Sequence, residues 1–157
     1  MKAATVRELK LELSNRSSAE LLELCLRLSK FKKENKELLT YLLYEASDEA
    51  TYIHNIKGEI AEQFEQINRS SYYFIKKSTR KILRNTKKFI RYSKKKETEV
   101  ELLIYFCSEL KKMRPPIGNN VTLQNLFNRQ ILAIRKILPT LHEDLKYDYE
   151  MELNAFI

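Results

Sequence analysis

Apolar residues recur at three- and four-residue intervals along almost the whole chain, the period of a helix with one buried face. Val6, Leu9 and Leu13 make a short first stripe that stops at Ser14-Asn15-Arg16. Ser17 followed by Glu20 has capping-box spacing, in which the hydroxyl accepts from one orphan amide and the carboxylate reaches back to another. A second helix is expected from there, with Leu21, Leu24, Cys25, Leu28 and Phe31 inward. The segment Leu38 to Ala46 is apolar on most sides, the pattern of an enclosed helix, and is expected to be the most buried element.

Ser47-Asp48-Glu49 places acids where the positive end of a helix dipole favours them, ahead of Ile53, Ile56, Ile60, Phe64 and Ile67. Asn68 to Ser71 breaks that helix, and a long row follows through Tyr72, Ile75, Thr79, Ile82, Thr86, Phe89 and Ser93. Thr98 with Glu101 reads as a further capping box opening a helix that buries Val100, Leu103, Cys107 and Leu110 and ends before Pro115-Pro116. Beyond the loop Ile117 to Asn120, the stripe Leu123, Phe127, Ile131, Ile134 and Leu138 ends at Pro139. A last amphipathic turn or two, Leu141 to Tyr149, leads to a tail expected to fray.

Two segments, Ser71 to Ile75 and Val100 to Cys107, are rich in β-forming residues, but neither has turn residues on both sides. The pattern predicts an all-α fold: one domain over 1–157, with six to eight mostly antiparallel helices in a bundle or stacked array. Composition sharpens this. Only 2 Gly occur in 157 residues, which disfavours hairpin-rich sheets and phosphate-cradling glycine loops. Two cysteines are too few for a disulfide framework or a cysteine zinc site, so Cys25 and Cys107 are expected as small core residues.

Charges punctuate the first 28 residues, leaving no apolar segment of signal-peptide type, and no apolar run approaches the roughly 20 residues of a membrane span. No membrane insertion and a cytoplasmic location are the expectation. His54 and His142 sit in no metal-ligand spacing, and no cofactor, metal or catalytic residue is expected.

Charge is where the sequence departs from background. The chain has 29 Lys and Arg against 21 Asp and Glu, a net charge of +8, and residues 69–96 hold twelve of those cations with no acid. The remainder, 17 basic and 21 acidic residues, is net negative. On a wheel of about 100° per residue the apolar row and the cations occupy opposite faces. Lys77, Arg80, Lys81, Arg84, Lys87, Lys88, Arg91 and Lys95 form the candidate binding face, spanning about 76–95. Tyr73 and Tyr92 flank it, suited to base stacking but more commonly found packed on neighbouring helices.

Two uses fit such a face. The first is a helical scaffold, without enzymatic activity, that engages a partner protein or a second copy of itself. The alternative is nonspecific binding of DNA, RNA or another polyanion, with affinity from counterion release. Carboxylates at Asp48, Glu49, Glu59, Glu62 and Glu65 on the preceding helix, and at Glu97, Glu99, Glu101 and Glu109 on the following one, are the residues able to neutralise the face from within.

Overall fold

The computed structural model describes residues 1–157 and is all-helical, with no strand. Eight α-helices follow in order: α1 (Val6–Ser14), α2 (Ser18–Phe31), α3 (Lys33–Thr40), α4 (Glu49–Glu65), α5 (Tyr72–Ser93), α6 (Lys96–Lys112), α7 (Val121–Ile137) and α8 (Glu143–Asn154). A π-helical turn covers Tyr41–Glu45, and 3₁₀ turns cover Ile117–Asn119 and Leu138–Thr140. No helix is long and apolar enough to cross a membrane. The chain divides into two compact units, Met1–Tyr44 and Glu45–Ile157.

In the first unit, α1 opens with a full capping box: the Thr5 amide donates to Glu8 Oε2 at 2.7 Å and the Glu8 amide to Thr5 Oγ1 at 3.3 Å. The bond from the Thr5 amide, and a second from the Thr5 hydroxyl at 2.8 Å, hold the Glu8 carboxyl below its usual range. The Thr-x-x-Glu spacing of residues 5–8 is the sequence signature of this cap. Ser17 does cap α2, accepting from the Glu20 amide at 3.2 Å, whereas the Glu20 carboxylate turns to Arg16 at 3.8 Å. α2 and α3 pack together, and Asn35 Nδ2 donates to the Leu28 carbonyl at 2.8 Å across their junction. Only Ser29 and Tyr41 are buried in residues 1–44. The expectation that Leu38 to Ala46 is the most buried element is therefore overturned, since Leu38, Leu42, Leu43 and Tyr44 are all exposed. An all-round apolar pattern states what a helix would bury but supplies no neighbour to bury it.

The second unit is organised on α6, which packs against α4, α5, α7 and α8. Val100, Leu102, Phe106, Cys107 and Leu110 are fully buried on it, so this helix, not residues 38–46, is the enclosed one. The stripes of α4, α5 and α7 face inward as their spacing predicts, with Ile56, Ile60, Phe64, Ile75, Ile82, Leu123, Phe127, Ile131 and Ile134 all buried. α8 is longer than a turn or two and seats Leu153, with Phe156 edge-on to Phe127 at 6.4 Å. Thr98 is not a cap. The helix starts two residues earlier, and Thr98 is buried with its hydroxyl donating to Glu49 Oε1 at 2.7 Å.

Glu49 ties three helices at one point. Sitting in the first turn of α4, it accepts from Ser93 Oγ at the end of α5, from Thr98 Oγ1 in α6, and pairs with Lys95 Nζ at 3.3 Å. Charge-assisted bonds of this kind contribute about 1.5–3 kcal/mol. Glu49→Gln is expected to lose about that much in urea unfolding, with α4, α5 and α6 destabilised together. Thr79 presents the opposite case, a fully buried hydroxyl without a hydrogen-bond partner. Thr79→Val keeps the shape and removes the unsatisfied group, and is expected to raise stability by about 1 kcal/mol in the same assay.

Candidate basic groove

α5 begins after an Asn68 turn, in which Asn68 Oδ1 accepts from the Ser70 amide at 3.0 Å, and ends at Lys94, whose φ of 59° stops the helix in the left-handed region. Both ends and the middle are pinned. Tyr72 donates to the Pro116 carbonyl at 2.9 Å, Asn85 Nδ2 to Gln63 Oε1 of α4 at 3.1 Å, Tyr52 of α4 to the Phe89 carbonyl at 2.9 Å, and Ser93 to Glu49. Ile75, Thr79, Ile82, Thr86 and Ile90 are the buried row. Its position fixes the opposite, cationic side toward solvent.

Six of the expected cations, Lys77, Arg80, Lys81, Arg84, Lys87 and Arg91, are exposed and form no ion pair. Four of them converge. Arg80, Arg84, Lys87 and Arg91, within about 60° of one another on the helix, line an open groove of about 460 Å³ whose other wall is Leu126, Arg129, Gln130 and Ala133 of α7. No carboxylate lines it. Arg129 is a cation that the sequence pattern did not single out, because it stands alone among uncharged neighbours and joins the row only through the placement of α7. Gln130 is buried, its Nε2 donating to the Leu126 carbonyl at 3.2 Å while Oε1 lacks a partner.

The remaining expected residues separate from the row. Lys77 and Lys81 lie on its other flank, as does Lys88, whose ammonium sits 4.9 Å from the Phe89 ring centroid. Lys95 leaves the face altogether: α5 has already ended, and its ammonium pairs with Glu49 at 3.3 Å. The two tyrosines part company as well. Tyr92 is buried against Phe89, as the packing expectation has it, whereas Tyr73 is 66% exposed, edge-on to Phe74 at 5.3 Å. Tyr73 falls in line with Arg84 and Arg91 on the wheel.

Elsewhere in the second unit, Lys57 pairs with Glu101 at 2.7 Å, Tyr149 donates to the same carboxylate at 3.3 Å, and both Lys57 and Glu101 line a cavity of about 350 Å³ with Tyr105 and Ser108. Burial, and then the Glu101 charge, push the Tyr149 phenol upward, and burial does the same to Tyr105. His54 is exposed, and His142 caps α8 by accepting from the Asp144 amide at 3.3 Å. Cys107 is buried as expected, but Cys25 is exposed, a correction that follows from the missing cover over α2.

The two thiols thus differ in reactivity. Burial pushes the Cys107 thiol up to about 12, so it is protonated and shielded at ordinary pH. Titration with an aromatic disulfide reagent at about pH 8 is expected to count one thiol in the native chain and two in denaturant, with the native signal abolished by Cys25→Ser. Comparison with known proteins returns no matching family model, no matching curated protein and no matching solved structure.

Proposed function

We propose that the chain is a binding module for single-stranded nucleic acid, with the phosphate backbone lying along the α5–α7 groove. The observation that carries this reading is the convergence of Arg80, Arg84, Lys87, Arg91 and Arg129 on one groove without a carboxylate in its lining. Holding like charges side by side on a helix costs a few tenths of a kcal/mol per neighbouring pair. An anionic ligand recovers that cost and releases its own counterions. The exposed Tyr73 ring, in line with the cations, supplies a stacking surface of the kind that favours unpaired bases over a duplex. From Tyr73 to Arg91 the row runs about 27 Å at 1.5 Å per residue, enough for several nucleotides. Recognition of this kind reads charge and base faces, so sequence preference is weak.

A partner protein with an acidic surface is the other reading of the same cations, and competition separates the two. An oligodeoxynucleotide of about 15 bases is expected to bind at about 50 mM salt by fluorescence anisotropy, with a log–log salt slope near −3.5 for about five phosphates at 0.7 each. Replacing Arg80, Arg84, Lys87 and Arg91 by Gln is expected to flatten that slope to about −0.7. Tyr73→Ala is expected to weaken binding by about 1–3 kcal/mol with the slope unchanged. Absence of binding at low salt, or equal displacement of the oligonucleotide by polyglutamate, overturns the proposal.

A further inference from the structure

The same chain carries an acidic counterpart to the basic groove. α8 holds five carboxylates against one lysine. Going round that helix at about 100° per residue, Glu143, Tyr147, Met151, Asp144 and Asp148 follow one another within an arc of about 140°, and Leu153, its buried residue, lies roughly opposite. All five are exposed, Tyr147 by 64% and Met151 by 58%. Glu143 and Asp148 form no ion pair, and Asp144 reaches only His142, at 3.6 Å. The outer face of α8 is therefore an apolar stripe of two side chains with carboxylates on both flanks. The groove between α5 and α7 has the inverse cross-section. On the wheel its apolar lining, Leu83, Leu126 and Ala133, falls between the cations and the buried rows, with Arg80, Arg84, Lys87 and Arg91 along one rim and Arg129 on the other.

We infer that α8 of a second copy docks in the α5–α7 groove, head to tail, and that this self-capping closes the groove to nucleic acid. The capping rests on the reading of the groove as an anion site and supplies its regulation. Charge, length and shape all select this occupant. Carboxylates on the two flanks of α8 meet cations on the two rims, complementary on both sides at once. The α8 face runs about 12 Å from Glu143 to Met151 and the α5 cations about 16 Å from Arg80 to Arg91, so the acids fall within the span of the cations, at helical spacing on both partners. Tyr147 and Met151 meet Leu83, Leu126 and Ala133, which makes the contact a helix laid in a groove and not a bare ion pairing. Within one chain the two surfaces are held apart. Leu153 is buried, Tyr149 donates to Glu101 of α6 at 3.3 Å, Phe156 stands against Phe127, and no residue of α8 lines the groove. A contact between two different surfaces does not close at two copies, so it propagates into chains of molecules.

Sedimentation equilibrium of the full chain tests this. At about 300 μM protein and about 50 mM salt the average mass is expected to exceed that of one chain and to grow with concentration, and at about 0.5 M salt to fall back to one chain, because exposed charges are screened. Two variants separate the surfaces: Glu143→Gln with Asp144→Asn and Asp148→Asn on α8, and Arg80→Gln with Arg84→Gln and Arg91→Gln in the groove. All six positions are exposed, and helical circular dichroism is expected to be unchanged. Each variant alone is expected to stay monomeric at low salt. Their equimolar mixture is expected to form a complex of two chains and nothing larger, since one intact groove and one intact α8 remain. An oligodeoxynucleotide of about 15 bases is expected to dissolve the wild-type assemblies, and to bind the α8 variant with an unchanged salt slope. A wild-type chain that stays monomeric at low salt while binding the oligonucleotide overturns the inference alone. So do assemblies that survive either variant, and assemblies that high salt strengthens, the mark of association through apolar surface. Assemblies lost in both variants and restored by mixing, without oligonucleotide binding, support the inference and overturn the nucleic-acid reading alone.

Discussion

The second unit depends on the burial of α6 from several sides at once. Val100, Leu102, Leu103, Phe106, Cys107 and Leu110 leave that helix almost no face for water, and α4, α5, α7 and α8 take their positions by covering it. A helix that covers another must commit its apolar stripe inward. For α5 that commitment decides the chemistry, because its inward residues are apolar or threonine and nearly everything opposite them is Lys or Arg. The cationic face is thus a by-product of core packing in its placement, though not in its composition.

Most of the helical architecture was legible from spacing. The inward rows of α4, α5 and α7 fall where periodicity puts them, and the breaks at Asn68–Ser71 and before Pro115 fall between helices. What spacing does not carry is the identity of the neighbour. Leu38 to Ala46 and Cys25 read as buried because their surroundings are apolar, yet Leu38, Leu42, Leu43, Tyr44 and Cys25 stand exposed. Thr98 read as a cap because its local motif is right, whereas a carboxylate 49 residues earlier in the chain takes its hydroxyl and lets α6 begin at Lys96. Local motifs compete with long-range partners that no window of sequence contains.

The groove shows the same division. Its α5 cations were legible, since twelve basic residues without an acid have no other local reading. Their freedom was not, because pairing is a property of the adjacent helices. Lys95 was lost to Glu49 and Arg129 was gained from α7, both through contacts between elements distant in sequence. Tyr73 and Tyr92, about 100° apart on the helical wheel, lie on opposite sides of the solvent boundary.

The pinning of α5 has a consequence of its own. Tyr72 is held to Pro116 at one end, Ser93 to Glu49 at the other, and Asn85 and Phe89 are fastened to α4 between them, so the rod is tied along its whole length. Its guanidinium groups keep a constant pitch, like teeth on a rack. Under the proposed reading, a flexible chain able to adjust its own repeat to that spacing would engage several of these groups together and a stiff one with a mismatched repeat few, so discrimination would come from the periodicity and compliance of the counterpart instead of its total charge.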